Sequence, residues 1–121
     1  MATVTKTLAN YEDVEALQDQ LGNTHFATSS LPANTTRTIT CTPSISMLIY
    51  FNGTWSGLHS MYLYSGTTDG AESQTAIKDS SSISITGTVS SGVRSIAIQN
   101  SSGAACRMTI IVSNGSITSI A

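Results

Sequence analysis

From Asn23 onward, apolar and hydroxyl side chains alternate with a period of two, and Gly, Asn, Asp or Pro interrupts the alternation at short intervals. This pattern predicts many short strands, each with one face toward a core. Strands are expected near Thr35–Thr42, Ile45–Asn52, Leu58–Ser65, Gln74–Lys78, Ser82–Val89, Val93–Gln99, Arg107–Ser113 and Ser116–Ile120, with a looser one around His25–Ser29. Alternation also assigns faces: Ile83, Ile85 and Val89 oppose Ser84, Thr86 and Thr88, and Met108, Ile110 and Val112 share a side with Cys106. Ile39 and Cys41 lie opposite Thr38, Thr40 and Thr42, which predicts that both thiols are small buried hydrophobes. The run Ile45–Phe51 is apolar on both faces, as expected of a central strand or one covered on its second side by a helix or by another copy. Asn52-Gly53 and Asn114-Gly115 read as tight turns, the second closing a C-terminal β-hairpin, and Asp69-Gly70 reads as a third turn.

The stretch before Asn23 has a different rhythm. Four of the seven acidic residues lie between Glu12 and Asp19, whereas all twelve isoleucines lie between Ile39 and Ile120. Asn10 can cap a helix, Glu12 and Asp13 complement its positive end, and Gly22 can terminate it, so Tyr11–Leu21 is the predicted helix. Its length of about 16 Å is too short to persist alone in water. Val14, Leu17 and Leu21 follow the 3-then-4 spacing of a coiled-coil seam. They fit an oligomerisation stem, and equally an amphipathic helix packed on its own domain. The expected organisation is an N-terminal segment, 1–23, carrying this short helix, then a β domain over 24–121. The economical fold class is an all-β sandwich or jelly roll with a short N-terminal α-helix, which would be a coiled-coil stem in the oligomeric case.

Composition narrows the function. Ser and Thr fill 38 of 121 positions against 12 charged residues, and the net charge is −2, so hydroxyls rather than charge must wet the surface. This argues against electrostatic capture of nucleic acid or anionic lipid. Leu, Ile, Val and Phe number 26, close to the compositional boundary of disorder, but so small a net charge gives little self-repulsion. A mass of 12.6 kDa allows folding to hide about 12,000 Å² of surface, enough for one core. No apolar run is long enough to cross a bilayer, and Met1–Asn10 lacks the apolar stretch of a secretory signal, so a soluble chain made in the cytosol is expected. Cys41 and Cys106 are too few for a disulfide scaffold and have no companions for a zinc site. Four tripeptides, beginning at Asn34, Asn52, Asn100 and Asn114, match the glycosylation pattern, as turn asparagines in so hydroxyl-rich a chain do by chance.

Catalytic signals are sparse. Gly53-Thr54-Trp55-Ser56-Gly57 places its serine one position late for a nucleophile elbow and lacks the strand-to-helix setting. Asp69 with Glu72 or Asp79 could form a glycosidase pair, but the three sit in the polar stretch Ser65–Ser82, which reads as solvated loop. No phosphate loop, dinucleotide fingerprint or helical His pair is present, so no cofactor, metal or catalytic residue is assigned and the chain is read as non-enzymatic. Aromatic residues carry the recognition signal: Tyr50, Trp55, His59, Tyr62 and Tyr64 crowd into fifteen residues. Trp55, His59, Tyr62 and Tyr64 are the candidate surface-binding set, suited to stacking on saccharides or to a protein interface. The bland alternative is that most of these rings fill the sandwich and its rim.

The β segment resembles small β-rich domains at the ends of bacteriophage fibre proteins, especially from phages of gut Firmicutes. The resemblance runs from about Leu31 to Ile120. It rests on Leu31-Pro-Ala-Asn-Thr-Thr-Arg-Thr-Ile-Thr40, the apolar strand Ile45–Phe51, Ser81-Ser-Ile-Ser-Ile-Thr86, Ile96-Ala-Ile-Gln-Asn100-Ser-Ser102 and a closing apolar strand. It is one of style and order rather than of an invariant motif. A short helix ahead of such a domain resembles the stem of trimeric fibres. The resemblance implies a trimeric structural protein of the virion, on a head or tail fibre, made in the host cytoplasm. Its implied partners are further copies of itself, other virion proteins and a bacterial surface glycan or protein. It implies no catalytic residues and no membrane insertion. Unlike a typical long fibre, the chain starts almost at the helix, as would a complete small fibre or decoration protein, or a piece of a longer one. A monomeric carbohydrate-binding module using Trp55 and neighbouring tyrosines is the competing expectation.

Overall fold

The computed structural model describes residues 25–121, which form nine strands and no α-helix. The predicted helix Tyr11–Leu21 and the seam Val14, Leu17 and Leu21 lie outside the described residues. The strands are β1 (His25–Leu31), β2 (Thr35–Cys41), β3 (Ile45–Gly53), β4 (Ser60–Gly66), β5 (Glu72–Lys78), β6 (Ile83–Ser90), β7 (Val93–Asn100), β8 (Cys106–Asn114) and β9 (Ile117–Ile120). Each predicted strand is present, displaced by at most a few residues, because period-two patterning over so many β-branched residues leaves no competing helix period.

The strands form two antiparallel sheets, ordered β1-β8-β3-β4-β5 and β6-β7-β2-β9. Their inner faces share one core, the arrangement of a β sandwich. Ile45, Met47, Ile49 and Phe51 of β3 meet Met108, Ile110 and Val112 of β8 on one side, while Ile39, Ile83, Ile85, Ile96 and Ile98 come from the other sheet. Tyr62 packs edge-on against Phe51, with ring centroids 5.9 Å apart. Cys41 and Cys106 are buried, unpaired thiols. The doubly apolar strand β3 is central, between β8 and β4.

Two turn expectations are corrected. Asn114-Gly115 does not close a hairpin: both neighbours of β8 are already β1 and β3, so the chain crosses to the second sheet and β9 pairs with β2. Gly115, at φ 89°, supplies the left-handed step of that crossing, and Ser116 exchanges hydrogen bonds with Thr42. Asn52-Gly53 is not a turn either. Gly53 stays in β3 opposite Cys106, where a Cβ would press on the Ala105 carbonyl, and the chain turns only beyond Thr54, through a single 3-10 turn at Ser56–Leu58. Leu58, placed in a strand by its pattern, is buried within that turn. The Asp69-Gly70 turn is present, with Gly70 at φ 100°. The hairpin most fully specified by its turn is β6–β7, where Ser91 (φ 54°) and Gly92 (φ 75°) take the paired left-handed angles of a type I′ turn.

Candidate functional site

The register fixes which loops lie together. His25, where residues 1–24 join the domain, pairs with Val112 at one end of the five-stranded sheet. Leu31, Cys106 and Gly53 align at the other end, six residues and about 20 Å further along the strands. Beyond that distal end lie Pro32–Asn34, Thr54–His59, Asp79–Ser82 and Ser101–Ala105. These four loops are joined in series. The Ser80 hydroxyl donates to the Gly57 carbonyl, the Ser101 amide to Ser82 O at 2.9 Å, and the Asn34 amide to Ser102 O at 3.0 Å. The rim they form is rich in hydroxyls and small residues.

Trp55 and His59 stand on this rim, both exposed, Trp55 by 48%. The indole lies against Gly57, where any Cβ would meet the six-membered ring at 2.5–2.8 Å. Glycine therefore lets the backbone serve as a floor for the indole, which presents its remaining surface to solvent. Tyr62 and Tyr64 do not join this surface: alternation in β4 turns both inward, and both are buried. The Tyr62 hydroxyl donates to Asp79 (2.9 Å) and accepts the Ser80 amide (2.9 Å), tethering the Asp79–Ser82 loop from below.

Two interior polar residues that the sequence pattern does not single out organise the ends of the sandwich. Asn100, fully buried, donates its amide protons to the carbonyls of Leu31 (3.3 Å), Pro32 (3.2 Å) and Ala104 (2.8 Å) and accepts from the Ser102 amide (3.0 Å), holding two rim loops at once. Arg94, also fully buried, does the same at the proximal end. Its guanidinium donates to Pro43 O (2.9 Å), Thr67 O (2.9 Å), Ala71 O (3.2 Å) and the Tyr64 hydroxyl (3.0 Å), which itself donates to Glu72 at 2.7 Å. Glu72 and Arg94 approach to 3.7 Å. A Cβ on Gly66 would overlap the guanidinium, and one on Gly87 would overlap the Tyr64–Glu72 bond, so both glycines make room for the network. A sequence signal was available in retrospect: Arg94 alternates with Ile96 and Ile98, on the inward side of β7.

The three candidate carboxylates are thus dispersed in separate bonds: Glu72 with Tyr64 and Arg94, Asp79 with Tyr62, and Asp69 with the Thr67 hydroxyl and Ala71 amide of an exposed turn. The hydrogen bond from Thr67, followed by that from Ala71, lowers the Asp69 pKa. Among the described residues no three His, Cys, Asp or Glu side chains gather as a metal site, and no helix is long and apolar enough to cross a membrane.

Burial raises the pKa values of Tyr62, Tyr64, Cys41 and Cys106. Each group is an acid whose neutral form the fold retains, so the unfolded chain sheds these protons first as pH climbs through 9.0 for the thiols and 10.0 for the phenols. Stability is therefore expected to be insensitive to these groups below about pH 8 and to fall above it. Urea midpoints measured from pH 7 to 11 check this, and Tyr62→Phe should flatten the decline.

Comparison with known protein families, curated proteins and solved structures gives no match, so the site is read from its own geometry.

Proposed function

We propose that this chain is a non-enzymatic structural protein of a bacteriophage virion, a trimeric fibre head whose distal rim contacts the bacterial surface. The observation that carries the reading is polarity: residues 1–24 join the domain at one end, and the rim bearing Trp55 and His59 lies at the opposite end. An attachment domain needs this layout, with the connection behind and the recognition surface in front. The resemblance over Leu31–Ile120 supports the same reading. So do the nested pairs β1–β8 and β2–β7, which we read as jelly-roll-like winding within the sandwich. The seam Val14, Leu17 and Leu21 supplies the stem in this scheme, and the virion is the expected location.

The test couples assembly to adhesion. Light scattering on the full chain should give three copies, and labelled protein should adhere to cells of gut Firmicutes. Trp55→Ala should weaken adhesion about tenfold or more, as loss of a central aromatic anchor does, while moving the melting temperature by only a few degrees. Undiminished adhesion by this variant would remove the rim from the mechanism. A second reading, a monomeric carbohydrate-binding module, is favoured by the indole seated on Gly57. It predicts one copy in solution together with glycan binding that depends on Trp55.

A further inference from the structure

The outward face of the five-stranded sheet carries an apolar row that crosses four strands. Phe26 pairs with Ile111, Ile111 with Leu48, and Leu48 with Leu63. In a one-sided sheet these positions would be polar, and the neighbouring outward positions Ser46, Ser65, Ser73 and Ser113 are. Phe26 is 70% exposed and Leu63 47%. Contiguous exposed apolar surface of this kind marks an interaction site. The row also has two unlike ends. Phe26 projects from the edge strand β1, whereas a groove of about 340 Å³ runs along Leu48, Leu63, Ser65, Thr75 and Ile111.

We propose that the occupant of this groove is Phe26 of a second copy, in a head-to-tail contact that closes as a ring of three. The inference rests on the trimeric reading above and names the surface through which the β domains meet. A projection and a recess at separate places on one face cannot satisfy each other within a copy, but each can satisfy the complementary feature of a neighbour, and such contacts close into rings when the rotation permits. The chain's connectivity favours this occupant. Leu21, last residue of the seam, precedes His25 by four residues, a span of at most about 14 Å. In the trimeric reading, copies joined through residues 1–24 therefore carry their Phe26 faces close to one another. The polar margin adds no obstacle, since Thr28, Thr109 and Tyr50 line the next row.

The double variant Phe26→Cys with Leu63→Cys tests the contact. Within one copy these positions are three strand spacings apart, about 14 Å, beyond the Cα separation of about 4.4–6.8 Å that a disulfide spans. Oxidation should therefore give a ladder ending at three chains on a non-reducing denaturing gel, with each single variant stopping at two. Leu63→Asp, at an exposed position, should keep the fold and lose the trimer at micromolar concentration. Light scattering on the unaltered chain separates the failures. A trimer without the three-chain band overturns this face and leaves the trimeric reading standing. A single copy overturns both.

Discussion

Replacing Arg94 with alanine is expected to destabilise the domain by about 3–5 kcal/mol, the range for removing one partner of a buried ionic network, and to lower the melting temperature by more than about 12 °C. The guanidinium is fully buried and every N–H direction it uses ends on a partner: Pro43, Thr67 and Ala71 carbonyls and the Tyr64 hydroxyl. Its loss leaves three backbone carbonyls and the Tyr64 hydroxyl without their donor, and leaves Glu72 without its countercharge. Arg94→Lys should recover little. An ammonium is a point donor on a flexible stem and cannot serve three backbone carbonyls from two loops at once as the guanidinium does. Gly66→Ala should resemble Arg94→Ala, because the added methyl would occupy the guanidinium's own space. Thermal melts of the three variants check the whole set, and an Arg94→Ala protein melting within about 4 °C of the parent would show that the network contributes little.

The contrast between what patterning revealed and what it did not follows from range. Strand positions and faces depend on residues two apart, so Ile83 and Ile85, or Met108, Ile110 and Val112, were legible from alternation alone, and their burial agrees. Turn chemistry is local as well, yet Asn114-Gly115 misled, because two alternating runs flanking a turn pair only if both edges are free. The strand before it already has two partners. Occupancy of an edge is a property of the whole sheet and leaves no mark in a ten-residue window. Tyr62 and Tyr64 show the same limit: the pattern shows that they share a face, but whether that face is core or surface depends on the opposing sheet. Arg94 and Asn100 were missed for the converse reason. Each polar side chain in an inward position reads as an exception to the alternation, and only the crossing loops it binds, 51 residues away for Pro43 and 69 for Leu31, give it a role.

Asn100→Asp isolates that role at the distal rim, because it preserves size and shape while exchanging the donating NH₂ for an acceptor. Three carbonyls, those of Leu31, Pro32 and Ala104, would then face a carboxylate oxygen inside a fully buried site. The lost bonds and the buried charge together are expected to cost about 2–4 kcal/mol near neutral pH. The sign of the pH dependence is opposite to that of an ordinary paired carboxylate. Burial and the surrounding carbonyls raise the introduced carboxyl's pKa in the folded state, so the proton is held by the native form and released on unfolding. The variant's stability is therefore greatest below the unfolded value of about 4 and is lost as pH rises through and beyond it, until the folded group ionises too. Protonated, the carboxyl again offers one O–H donor and restores part of the link between Pro32–Asn34 and Ser101–Ala105. Denaturant midpoints of variant and parent at pH 3 and pH 7 measure this difference directly. A gap that stays constant between the two values would place the cost of the substitution in packing rather than in the donor that ties the rim loops together.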